Sequence, residues 1–191
     1  MPLPPAATPR TLQHVRQVEV QAFRRDDGLW DLEAHLRDSR PHDVELRTGL
    51  RAAGEPIHDM HLRVTIDLKL DVLEAVASYQ AVPYPGTCEA IAPDYAKLVG
   101  LNLARDFKRQ ALVRLGGTRG CAHLTELTQI LPTAAIQALS EDRGGVQTRK
   151  VPAYAQASVP PSHLDRCHAL ARDGETVRQY YPQWHTPQRN D

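Results

Sequence analysis

Leu62, Val64 and Ile66 alternate with Arg63, Thr65 and Asp67. A two-residue period confines this stretch to an extended strand with one apolar and one polar face, because successive strand side chains point to opposite sides. The same period recurs upstream, where Trp30, Leu32, Ala34 and Leu36 are set against Asp31, Glu33, His35 and Arg37. Both strands therefore call for a cover on one face and tolerate water on the other, the habit of antiparallel sheets.

Turn chemistry pairs these strands with neighbours. Val18, Val20 and Ala22 precede Arg25-Asp26-Asp27-Gly28, and Asp-Gly supplies the positive φ angles of a tight hairpin. From Pro56 to Pro83 a second hairpin is predicted, with a turn near Leu68 to Asp71 and a less regular return through Val72, Leu73, Ala75 and Ala77. Between the hairpins, Gly49, Gly54 and Pro56 stand so close together that no regular element is expected.

The cover comes from the second half. Pro93 suits the first turn of a helix through Tyr95 and Leu98 that stops at Gly100, and Asp106 suits the cap of another running to Gly116-Gly117. A third is predicted from about Cys121 with Leu124, Leu127 and Leu131 inward, then Pro132, Ala134, Ile136 and Leu139. Beyond it the residues turn polar and rich in proline and glycine. The expected fold class is α+β: an antiparallel sheet of about four strands from two hairpins, about three covering helices and an irregular C-terminal arm. The expected division is a core over residues 10–142, a linker over 143–162, and a segment over 163–191 that packs back on the core.

Charge narrows the function. Lys plus Arg and Asp plus Glu each number 23, so no overall field draws the chain to nucleic acid or an anionic membrane, and neither is expected as a partner. The apolar run that a membrane span or secretory leader requires is missing, which predicts a cytoplasmic protein. Three cysteines, Cys88, Cys121 and Cys167, are too few for a disulfide framework and are expected as free thiols or ligands.

Chemistry concentrates where thiol and imidazole meet. Cys121 and His123 flank a helix start after Gly120, where the helix dipole favours thiolate. Cys167 and His168 are adjacent and diverge on a helix, which makes His168 the better ligand. On the strand beginning at Pro56, His58 and Met60 share one face and Asp59, His61 and Arg63 the other. Zinc and iron both accept imidazole and thiolate, so His58, Cys121, His123 and His168 are the candidate metal ligands. Asp59 is the candidate base and Arg63 the candidate anchor for an anionic substrate. Cys88 is a further candidate ligand in a loop, and Gly116-Gly117-Thr118-Arg119-Gly120 offers backbone N–H groups before a helix, as anion cradles do. Each feature also has a structural explanation: packing thiols, a polar strand end, and glycines that merely make a turn.

Gly28-Leu29-Trp30-Asp31, Gly54-Glu55-Pro56-Ile57-His58-Asp59-Met60, Leu62-Arg63-Val64-Thr65-Ile66-Asp67, Gly116 through Leu124 and Leu164 through Leu170 together resemble the bacterial domain of unknown function family 2889. That resemblance runs over nearly the whole chain. It implies a single full-length bacterial domain and carries no catalytic residues with it. A looser, architectural similarity is to iron–sulfur scaffolds of the NifU type, with Cys88 at a sheet-end loop and Cys121 at a helix start.

Three functions follow from these residues. One is a small metal-dependent hydrolase or lyase, acting on a small acid with a zinc or iron ion. The second is a metal-free acid–base enzyme or one with Cys121 as nucleophile. The third is a non-catalytic carrier of metal, iron–sulfur cluster or partner.

Overall fold

The computed structural model describes residues 3–139, 160–161 and 163–187. The chain divides into two compact units, Met1–Leu139 and Ser140–Asp191. In the first, strands β1 (Val15–Arg24), β2 (Trp30–Ser39), β5 (Pro56–Ile66) and β6 (Val72–Ala81) form one antiparallel sheet in the order β1-β2-β5-β6. The expected α+β architecture of two hairpins under helices is the one observed.

Register follows the alternation. Leu36 opposes Met60, Ala34 opposes Leu62 and Leu32 opposes Val64, so one face of the central strand pair is continuous hydrocarbon. All six side chains are buried, together with Ile66 and Val72. Val18, Val20 and Ala22 of β1 pair with Leu36, Ala34 and Leu32 and extend that face. A bulge between Asp59 and Met60 lets Tyr79 oppose Met60 while Ala81 opposes Asp59.

Helix α1 (Phe107–Leu115) and helix α2 (Ala122–Ala138) cover the sheet, with 3-10 turns over Glu89–Leu98. Their buried residues include Tyr95, Leu98, Phe107, Ala111, Leu115, Leu124, Leu127 and Leu131, in one cluster with the sheet's apolar face. Pro132 lies inside α2 without ending it. Inward positions step by three and four from Leu124 through Leu131 to Ala135 and Leu139, so Ala135 is buried and Ile136, expected inward, is exposed. Burial of the Thr125 and Thr128 hydroxyls is met locally, since Thr125 bonds the Leu115 carbonyl and Thr128 that of Thr125.

The inter-hairpin stretch departs from expectation. Val44–Leu46 (β3) and Gly49–Arg51 (β4) form a short two-stranded ribbon, with Gly49 at a φ of 119° next to its turn. Glycine spacing that argues against a long element is what so tight a reversal requires. Gly116 and Gly120 are also structural, because a Cβ at either would fall within 2.4 Å of a main-chain carbonyl oxygen of α1.

The expected linker over 143–162 lies outside the described residues apart from 160 and 161. In the second unit, a 3-10 turn over His168–Leu170 precedes helix α3 (Glu175–Tyr180) and a turn over Pro182–Trp184. Among the described residues of this unit, Leu164 and Val177 are buried and apolar. Among the described residues no helix is long and apolar enough to cross a membrane.

Candidate metal centres

Because β2 and β5 alternate faces, their ends deliver polar groups to both sides of the sheet. Asp38 continues the apolar phase of Leu32, Ala34 and Leu36, and it opposes His58 on β5. A carboxylate in that phase is carried under the helical layer, and Asp38 is only 3% exposed. It survives burial because it is surrounded by donors.

Arg16 on β1 is the principal one, giving Nε to Oδ1 and an Nη to Oδ2, both at 2.8 Å. A further Arg16 nitrogen reaches Glu126 on α2 at 2.6 Å. His58 Nδ1 lies 3.1 Å from Asp38 Oδ2, His14 Nε2 lies 3.2 Å from Oδ1, and His123 Nε2 lies 3.7 Å from Oδ2. The rings of His58 and His123 approach to 3.9 Å between centroids at a tilt of 33°. Burial favours the protonated carboxyl, yet Arg16, with help from His58 and His14, outweighs it and holds Asp38 below the usual carboxylate value. His58 is held below the ordinary imidazole value, first by burial and then by His123, although Asp38 pulls the other way.

Cys121 occupies the N-cap of α2, and His123 is the second helical residue. Burial raises the thiol's proton affinity, but its hydrogen bond with the His123 ring and the backbone N–H groups of Leu124 and His123 prevail and hold it below the ordinary thiol value. The helix start is fixed by Tyr95, whose hydroxyl accepts the Cys121 N–H at 3.1 Å and lies 2.9 Å from the Cys121 carbonyl and 2.8 Å from the Thr125 hydroxyl. Tyr79 stands beside the thiol with its own hydroxyl buried and making no geometrically sound hydrogen bond; burial first, then Cys121, pushes its ionisation well above the ordinary range.

On the other face, Asp59 lies beside His35 and His61, and His35 Nε2 is 2.8 Å from Asp59 Oδ1. Two groups thus bring three ligand atoms within 4.8 Å of one another: Asp38, His58 and His123 on the helical side, and His35, Asp59 and His61 on the open side. Both can hold a metal ion.

The structure therefore joins two of the four candidate ligands, His58 and His123, and adds Asp38, which the sequence reading did not pick. Cys121 touches the His123 ring without belonging to the three-donor group. Asp59 and Arg63 face the open side, away from His58; Arg63 lies 3.7 Å from Glu33. His168 is an exposed residue of the second unit, as is Cys167, and Cys88 precedes the first 3-10 turn. Neither three-donor group contains a cysteine, so the thiol-rich arrangement of an iron–sulfur scaffold is not found among the described residues.

Comparison with known proteins matches residues 14–137 to a family model described as protein of unknown function, DUF2889. No curated protein and no solved structure matches.

Proposed function

The chain belongs to the DUF2889 family, whose model matches more than half of it, and since that family's description carries no activity, we propose one from the helical-side centre: a metal-dependent hydrolase. Asp38, His58 and His123 are the ligands of a zinc or iron ion, and a small acid derivative is the substrate. The convergence of Asp38 Oδ2, His58 Nδ1 and His123 Nε2 at the start of α2 carries this reading.

Three supports come from chemistry. Two imidazoles and one carboxylate are a ligand set that divalent zinc accepts in catalytic sites, where three protein groups hold the metal and a fourth position is left for water. His58 and His123 keep 19% and 25% of their side-chain surface exposed, which leaves that position open to solvent. Cys121 caps the helix start that carries His123, and the His123 ring helps to hold its thiol below the ordinary value, which places a polarisable group beside the proposed ligand. When bound, the ion supplies an activated water. Arg16 fixes Asp38 by donating to both of its oxygens, and His14, the most exposed of the set, lies 3.2 Å from Asp38 Oδ1.

A lyase reaction on a small acid uses the same centre and is separated by its products. The metal-free alternative, with Cys121 as nucleophile, draws support from the lowered thiol and its contact with His123. One experiment decides between them. Metal-free protein is tested against small carboxylic esters and amides with and without added zinc or ferrous iron. Activity that requires the metal, and is lost in a His58→Ala, His123→Ala double variant, supports the metalloenzyme; activity indifferent to chelators but abolished by alkylating Cys121 favours the thiol.

A further inference from the structure

We infer that the open face of the sheet carries a second, independent site for a first-row divalent metal ion such as zinc, formed by His35, Asp59 and His61. The site stands on strand register and not on the helical layer. His35 and His61 are directly opposed across the β2–β5 pair, and Asp59 precedes His61 by two residues, so all three share a face. The two opposed rings stack, with centroids 4.1 Å apart and planes within 5°.

Stacking points both Nε2 atoms the same way. They converge on one oxygen, Asp59 Oδ1, at 2.8 Å for His35 and 3.5 Å for His61. Ligands bound at about 2.0–2.1 Å in a tetrahedron stand roughly 3.3–3.4 Å apart, a value the two observed separations bracket. Asp59 is nearly buried, with 7% of its side chain exposed, whereas the two imidazoles are about a third exposed. The carboxylate is thereby fixed, while parts of both rings remain in contact with solvent.

Two observations separate this group from an ordinary polar cluster. The Nε2 of His61 is buried and makes no hydrogen bond, a cost that a bound cation removes. Among the described residues the arginine nitrogen nearest Asp59, on Arg37, stands 4.0 Å away, so the carboxylate's charge is only loosely met. The donor set of two imidazole nitrogens and one carboxylate oxygen suits zinc, cobalt, nickel or copper over magnesium or calcium. Across the sheet, register continues the row from Glu19 through His35 and His61 to Ser78, so the ion sits on a polar band.

The test is zinc titration of the metal-free full-length protein by calorimetry, with folding checked by circular dichroism. The wild type is expected to bind two equivalents, and His35→Ala, His61→Ala one. His58→Ala, His123→Ala is also expected to bind one, and that remaining equivalent is lost when His61→Gln is added. If His35→Ala, His61→Ala retains the full wild-type stoichiometry, or if the wild type binds no zinc that His61→Gln removes, the open-face site is overturned. Should the alanine pair disturb the fold, His61→Gln alone keeps size and polarity while removing the ring, and it decides the same question. A protein that loses zinc on changing His35 and His61 but not on changing His58 and His123 retains this site and overturns the helical-side centre.

Discussion

Asp38 and Asp59 send their carboxylates to opposite faces of one sheet from neighbouring rungs of the same strand pair: Asp38 opposes His58, while Asp59 opposes Arg37. Each is nearly buried; Asp59 meets two imidazoles, His35 and His61, and Asp38 meets three, His14, His58 and His123. They differ in that Arg16 grips both oxygens of Asp38, whereas the arginine nearest Asp59 among the described residues, Arg37, stands off at 4.0 Å.

That pairing sets a pH dependence. An unfolded aspartate titrates near 3.9, and folded Asp38 titrates lower because the Arg16 and imidazole contacts outweigh burial. Its contribution to stability is therefore complete above the unfolded value and is lost as pH falls through the folded one. Arg16→Ala is expected to cost about 2 kcal/mol at neutral pH, less than the ~3–5 of a fully buried pair because Arg16 is a third exposed. In urea denaturation at stepped pH, the gap between variant and wild type should narrow on descending below about pH 4; a gap that widens there contradicts the assignment.

Cys121 caps the helix whose first turn carries His123. Cys121→Ser should leave the fold intact and weaken zinc binding by about 10–100-fold, the usual effect of removing an outer partner of a ligating imidazole. Competition with a chromophoric chelator measures it. Unchanged affinity would remove the thiol from the centre.

Tyr95 clamps the start of α2. Burial pushes its ionisation up to about 12, against the opposing pull of Thr125 and Cys121, so it remains a neutral phenol at ordinary pH. Tyr95→Phe strips partners from the Cys121 backbone and Thr125 and is expected to cost about 1–3 kcal/mol. Amide exchange at the first turn of α2 should accelerate more than exchange in β5.

Neighbouring residues of β5 should respond oppositely. Leu62 is fully buried at the centre of the sheet, and Leu62→Ala should cost about 2–5 kcal/mol. Arg63, on the open face and half exposed beside Glu33, should cost under about 1 kcal/mol when replaced by alanine. Thermal denaturation of the two variants checks the alternation directly.

Much of this was legible in the chain. Alternation through Leu62–Ile66 and Trp30–Arg37 determined faces as well as strands, which is why His58 and Asp59 could be assigned to opposite sides before any coordinates. Asp38 is legible too, as a carboxylate falling in an apolar phase, a signal separate from the clustering of thiols and imidazoles. His35 was hidden for another reason. Its importance lies in facing His61 across the sheet, and register between strands separated by a ribbon such as β3–β4 is not written in either strand alone.

Since a single strand supplies donors to both faces, the two centres share one mechanical origin. Slipping β5 by one position against β2 would send His58 toward water and Asp59 beneath the helices, dismantling both at a stroke. Any change that resets the strand zipper for one trio of donors thereby resets it for the other.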